Sequence, residues 1–133
     1  MDAPIEIPDR LNMVTFFLDD RLEEGRGDDM AVIDASTDRR LTYAEVHAGS
    51  CRVANLLREL GLTIEDRVQL LLLDTPEFVE SYFGTLRAGC VAVPTNTWLR
   101  TKDYAYYFEY ARKALFHQPM VDLPYWLRNI GTG

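Results

Sequence analysis

Lysine is nearly absent from this chain. Of its 14 basic residues only Lys102 and Lys113 are lysines, against 21 acidic residues and a formal net charge of -7. Non-specific nucleic-acid binding and anionic-membrane binding both need concentrated Lys and Arg, so this balance argues against either partner. Cysteine is scarce as well: Cys51 and Cys90 stand alone with no CxxC, which excludes a disulfide scaffold and reads as two buried thiols in a reducing cytoplasm. No long hydrophobic run exists. The longest, residues 68–73, is broken by Gln69 and is far too short to span a bilayer. Residues 1–10 carry Asp2, Glu6 and Asp9 with no apolar stretch, so no secretory signal is expected and the cytoplasm is the expected location. Phosphate-cradling glycine patterns are missing too: neither GxxxxGK[ST] nor GxGxxG occurs. Ser36, Ser50 and Ser81 lack a GxSxG context.

What is present is an ordinary globular composition. Over 133 residues, 47% are apolar and 26% charged, which fits one folded domain rather than a disordered or collagen-like chain. Residues 1–10, with Pro4 and Pro8, read as an extended arm. Asn12 is placed to cap a helix carrying Val14, Phe17, Leu18 and Leu22 on one face, stopped by Gly25. Residues 30–35 and 40–42 read as strands around a turn at 36–39. Thr42 and Glu45 form a capping box. The helix it opens carries an apolar stripe of Val46, Val53, Leu57 and Leu60, and Gly61 closes it.

From residue 68 the order becomes strand, helix, strand, helix, strand. Residues 68–73 have the near-continuous apolar character of a strand buried on both faces. Thr75 caps the next helix with Pro76 at its first position, and Phe78, Tyr82, Phe83 and Leu86 give its buried face. Gly89 ends it, and residues 90–94 form a strand. Thr101 caps a helix with Tyr104, Tyr107, Phe108 and Ala111 on one side. Residues 114–117 read as a last strand. Helical connections between strands predict an α/β fold: a partial parallel sheet with right-handed crossover helices.

Few side chains invite chemistry. His47 and Cys51 stand at i, i+4, so they can touch, but a mid-helix surface supplies no site around them. His117 reads as a surface residue at a strand end. The acidic pairs 19–20, 23–24 and 28–29 read as solvated helix ends and loop. The aromatic row from Tyr104 to Tyr110 lacks the basic residues of a base-stacking platform and reads as a packing face. Arg100 and Lys102 precede that helix, where an anion can meet its free amides. The turn Asp74-Thr75-Pro76-Glu77 is acidic, which argues against a stand-alone flavodoxin-like phosphate site.

Several segments in order resemble the start of the adenylate-forming acyl- and aryl-CoA synthetases. They are Arg39-Arg40-Leu41-Thr42-Tyr43-Ala44-Glu45, Val53-Ala54-Asn55-Leu56-Leu57, Glu65-Asp66-Arg67-Val68, Asp74-Thr75-Pro76-Glu77-Phe78, and the run from Arg87 through Pro94 to Thr97. Residues 12–28 and Asp103-Tyr104-Ala105-Tyr106-Tyr107 are similar to the benzoate-CoA ligase branch. The resemblance covers about residues 10–117 and fades after Ala114, giving an N-terminal part of a ligase domain at 1–117 and a divergent tail at 118–133.

The resemblance implies the N-terminal portion of a larger ligase domain. Its parent reaction activates a carboxylic acid with ATP and Mg to an acyl-adenylate, then passes the acyl group to the thiol of CoA, with a benzoate-like acid as substrate. The triphosphate loop and catalytic lysine of that family do not occur among these 133 residues, and Lys102 and Lys113 stand in other contexts. The isolated chain is therefore expected to be a truncated, inactive ligase with no catalytic residue, no metal site and no cofactor of its own. The family's loop that lies near CoA phosphates corresponds to Thr97-Trp98-Leu99-Arg100. With Trp98 in that loop, Arg100 is the candidate CoA-phosphate contact. The rival expectation is a non-catalytic α/β interaction module that pairs with a full-length ligase or a complementary fragment through a free sheet edge and unpaired helix faces.

Overall fold

The computed structural model describes residues 9–111 and 114–117; side chains are described as far as residue 109, except that of Phe108. The outer part of the expected arm, Lys113 and the tail at 118–133 lie outside the described residues. A π-helical turn, Thr15–Asp19, runs into a short helix α1, Asp20–Glu23. The hairpin β1, Met30–Ile33, and β2, Arg40–Thr42, follows. Then come α2, Tyr43–Glu59; β3, Arg67–Leu71; α3, Pro76–Arg87; β4, Val91–Pro94; α4, Thr101–Ala111; and β5, Ala114–His117.

Local chemistry explains the boundaries. The Val14 N–H donates to Asn12 Oδ1 at 2.9 Å, so Asn12 does cap the first helical stretch. The capping box of α2 is complete: the Glu45 N–H donates to Thr42 Oγ1 (3.3 Å) and the Thr42 N–H to Glu45 Oε2 (2.8 Å). The first two amides of α2 donate to the carbonyls of Asp29 (3.1 Å) and Gly27 (2.9 Å), which ties the helix to the preceding loop. Gly25, Gly61 and Gly89 have φ of +76°, +80° and +80°, the left-handed conformation that stops a helix at little cost.

β1 and β2 pair antiparallel, with an irregularity between Met30 and Val32. The second sheet has the order β4-β3-β5 with both pairs parallel. β3, the most apolar strand, is central, and Val68, Gln69, Leu70 and Leu71 are all buried. Two apolar clusters hold the layers together. One gathers Val14, Leu18, Leu41 and Val46 with Val79, Phe83 and Leu86 packed against it. The other gathers Leu57, Val68, Leu70 and Cys90 with Val53, Phe78 and Tyr82. A fully buried leucine such as Leu57 contributes about 2–3 kcal/mol.

Several expected faces differ. Phe17 is 47% exposed while Val14 and Leu18 are buried, because only one side of the π-turn meets α2 and the hairpin. Leu60 is 62% exposed: it is the C-cap of α2, beyond the last turn that faces the sheet. The buried residues of α3 are Pro76, Ser81, Gly84 and Thr85, and its aromatic side chains are half-buried flanks packed on the two clusters. Cys90 is buried but Cys51 is half-buried. The first strand ends at Ile33 because Asp34 turns the chain, and β3 ends at Leu71. Arg100 precedes α4, whose first residue is Thr101.

Candidate functional site

The parallel strands β3 and β4 end on the same side of the sheet, and the chain opens a crevice there, the usual ligand position in an open α/β sheet. Leu72, Leu73 and Asp74 leave β3, Pro94 to Trp98 leave β4, and Phe78 closes one wall around a cavity of about 350 Å3. Asp74 and Phe78 are shared with a second cavity of about 220 Å3, bounded by Val32, Ile33 and Asp34 at the hairpin and by Thr75, Pro76 and Val79.

The loop after β4 is pinned by hydrogen bonds. The Thr95 N–H donates to Leu70 O (2.9 Å), and its hydroxyl donates to Val93 O (3.2 Å) while accepting from Gln69 Nε2 (2.9 Å). The Trp98 N–H donates to Asn96 Oδ1 (2.9 Å), an Asx turn. Buried Tyr104 reaches back from α4: its hydroxyl donates to Asn96 O (3.1 Å) and accepts from the Leu99 N–H (3.3 Å). This frame leaves Trp98 91% exposed. Arg100 and Lys102 are both exposed at the start of α4. The Arg100 N–H donates to Asp103 Oδ2 (3.3 Å), and among the described residues no carboxylate forms an ion pair with its guanidinium.

At the hairpin rim, Asp34 accepts from Ser36 Oγ (2.6 Å), Thr37 Oγ1 (2.8 Å) and the Ser36 N–H (2.8 Å). Those bonds, the Ser36 hydroxyl first, hold its carboxyl down at about 2. Arg39 pairs with Glu77 across the hairpin and the start of α3. Partial burial works to raise the Glu77 carboxyl, but its own backbone N–H, Arg39 and the Thr75 hydroxyl hold it below the ordinary carboxylate range. The same pair raises Arg39. Sequence patterning missed both features; the available signals were the Asp-x-Ser-Thr turn pattern and the acidic residue in the first turn of α3.

Other sequence candidates fall elsewhere. His47 and Cys51 do touch, with Sγ 4.0 Å from both ring nitrogens, on α2 and away from the crevice. Asp19 pairs with Arg87, and Glu24 and Asp29 pair with Arg26. Among the described residues no group of three His, Cys, Asp or Glu stands close enough to hold a metal ion. In the aromatic row Tyr104 is buried, while Tyr106 and Tyr107 are exposed and meet edge to face at 5.7 Å. The side chains of Phe108, Tyr110 and His117 lie outside the described residues. No helix among the described residues is long and apolar enough to cross a membrane.

Residues 18–121 match the AMP-binding enzyme family. The chain is 36% identical over 113 residues to a 4-hydroxybenzoate--CoA/benzoate--CoA ligase of Rhodopseudomonas palustris, covering 85% of this chain and 21% of that protein. Its fold superposes on a benzoate CoA ligase from Burkholderia xenovorans LB400 with a TM-score of 0.76 at 30% identity, covering 91% of this chain and 23% of that one. It superposes on the anthranilate CoA ligase AuaEII, solved with anthranoyl-AMP, with a TM-score of 0.80 at 30% identity, covering 92% and 23%. The chain thus spans about a fifth of the length of the curated relatives it matches.

Proposed function

The chain belongs to the AMP-binding enzyme family, and on that premise we propose that it forms the N-terminal part of the large domain of an ATP-dependent aryl-CoA ligase acting on a benzoate-like acid. The observation that carries the reading is the superposition of nearly the whole chain on two aryl-CoA ligases, together with a benzoate--CoA ligase relative at 36% identity. The parent reaction joins a carboxylic acid to the thiol of CoA through an acyl-adenylate, with ATP and Mg. These residues do not fit the ATP and Mg part. The turn from β3 to α3 carries Asp74, which repels phosphate, and the Glu77 there is paired with Arg39, the cation that a triphosphate would need.

The isolated chain is therefore inactive in this reading. Its task is to supply β3, β4 and β5, cover them with α2 and α3, and hold the crevice loop in place. The triphosphate loop and the catalytic lysine, which these residues do not carry, complete the working enzyme in the cytoplasm.

CoA fits one place loosely. Arg100, whose guanidinium pairs with no carboxylate among the described residues, stands with Lys102 at the start of α4, where the first-turn amides favour an anion. We assign Arg100 to a CoA phosphate. Tyr104 and Thr95 act through the loop as positioning residues. The test is a graft: residues 18–117 replace the matching segment of the Rhodopseudomonas palustris ligase. ATP-dependent benzoyl-CoA formation by the folded graft is the expected result. A folded graft that binds neither benzoate nor CoA overturns the reading.

A further inference from the structure

Away from the crevice, three elements converge on a thiol. Cys51 Sγ lies 4.0 Å from both ring nitrogens of His47, one turn earlier on α2. His47 Nε2 lies 3.4 Å from Asp19 Oδ1, which comes from the π-turn, so tertiary packing and not helix spacing brings it there. Asp19 is itself held by the fork of Arg87 on α3, which donates from Nη2 to Oδ1 (2.6 Å) and from Nη1 to Oδ2 (3.3 Å). Arg87 Nε also donates to Ser50 Oγ (3.1 Å), whose hydroxyl donates to His47 O (2.7 Å). The other charged groups nearby, Arg52 on α2 and Glu80 on α3, are 3.5 Å apart and neutralise each other.

We propose that Cys51, His47 and Asp19 form a nucleophilic thiol site that exchanges with small-molecule disulfides. Nδ1 of His47 takes the Cys51 thiol proton, and the Asp19 carboxylate, with Oδ1 3.4 Å from Nε2, stabilises the imidazolium by its charge. The thiolate attacks one sulfur of the disulfide. A new S–S bond forms to Cys51 as the old one breaks, and the leaving thiolate takes the proton back from His47. The Cys51 sulfur is oxidised, the leaving sulfur is reduced, and no other oxidant enters. Cys51 is half-buried and within reach of such a reagent.

Cys90 is the built-in control. It is buried, its thiol donates to Thr63 O at 3.5 Å, and burial, then Asp66, pushes that thiol up toward the inert neutral form.

The test treats the full chain with oxidised glutathione at pH 7 and follows the mixed disulfide at each cysteine by mass spectrometry. Modification is expected at Cys51 and not at Cys90. The native chain is expected to react about threefold faster than His47→Gln. Near pH 10, where ordinary thiols ionise unaided, the native chain loses that advantage. Asp19→Asn keeps the ring and slows the reaction in the same direction, which preserves the test if His47→Gln unfolds. Equal rates at pH 7, a rate difference that persists unchanged at pH 10, or reaction at Cys90 first would overturn the proposal.

Discussion

The seam between α2 and α3 and the carboxyl end of the parallel sheet are built from opposite materials. At the seam the residues are small: Gly49, Ser50 and Ala54 of α2 are buried, as are Ser81, Gly84 and Thr85 of α3. Their hydroxyls are spent locally, with Ser50 donating to His47 O and Thr85 to Ser81 O, both at 2.7 Å, so the helices approach without stranding a polar group. A Cβ on Gly84 would stand 2.8 Å from the Ser50 carbonyl. At the sheet end, the polar groups of Thr95, Asn96 and Tyr104 fix a loop, and Trp98 and Arg100 are left to solvent. One region gains stability from close approach. The other gives up burial to present a cation and an indole beside a crevice.

The contrast breaks hardest at the seam. Gly84→Leu forces a side chain into Val53 and the Ser50 backbone and is expected to cost about 3 kcal/mol by overpacking, read as a lower urea midpoint. Thr42→Ala removes one half of the capping box and is expected to cost about 1 kcal/mol in the same assay. A smaller effect is confined to acid. The Asp34 carboxyl, ordinarily near 3.8, is held down at about 2 by Ser36 and Thr37, so its contribution is complete above about pH 4 and is lost as pH falls toward 2. Asp34→Asn should flatten that part of the stability-against-pH curve and leave the neutral range parallel to the native one. The smallest stability change belongs to Arg100→Ala, under about 0.5 kcal/mol for an exposed side chain. In the grafted ligase the same change should raise the KM for CoA about fivefold, the equivalent of one screened contact of about 1 kcal/mol. A large stability loss with unchanged KM would reverse the roles given to the two regions.

Much of the frame was legible because its signals are local. Thr42 with Glu45, Pro76 after Thr75, and glycines 25, 61 and 89 mark element ends by backbone chemistry that needs no tertiary partner. The leucine run around β3 announced a central parallel strand. Periodicity failed where an element faces nothing: Phe17 and Leu60 keep the helical spacing of core residues, yet the π-turn and the C-cap carry them past the layer they would pack on. It also overstated the bulk at the α3 face, where closeness to α2 selects Gly and Ser. In the site, Arg100 and Lys102 stood out as two cations near the start of a helix. The Asp34 turn and the reach of Tyr104 back to Asn96 did not, being local contacts that periodicity does not encode. Nor did the Arg39–Glu77 pair, since a partner 38 positions away leaves no trace in spacing. The link from Asp19 to Arg87, 68 positions apart, was hidden for the same reason.

Benzoate-dependent exchange of labelled pyrophosphate into ATP tests the central claim most directly. It is measured on this chain alone, on the remaining four-fifths of the Rhodopseudomonas palustris ligase alone, and on the two together. The account predicts exchange only in the mixture. Exchange by the 133-residue chain alone, or a mixture no more active than the larger piece, would contradict it.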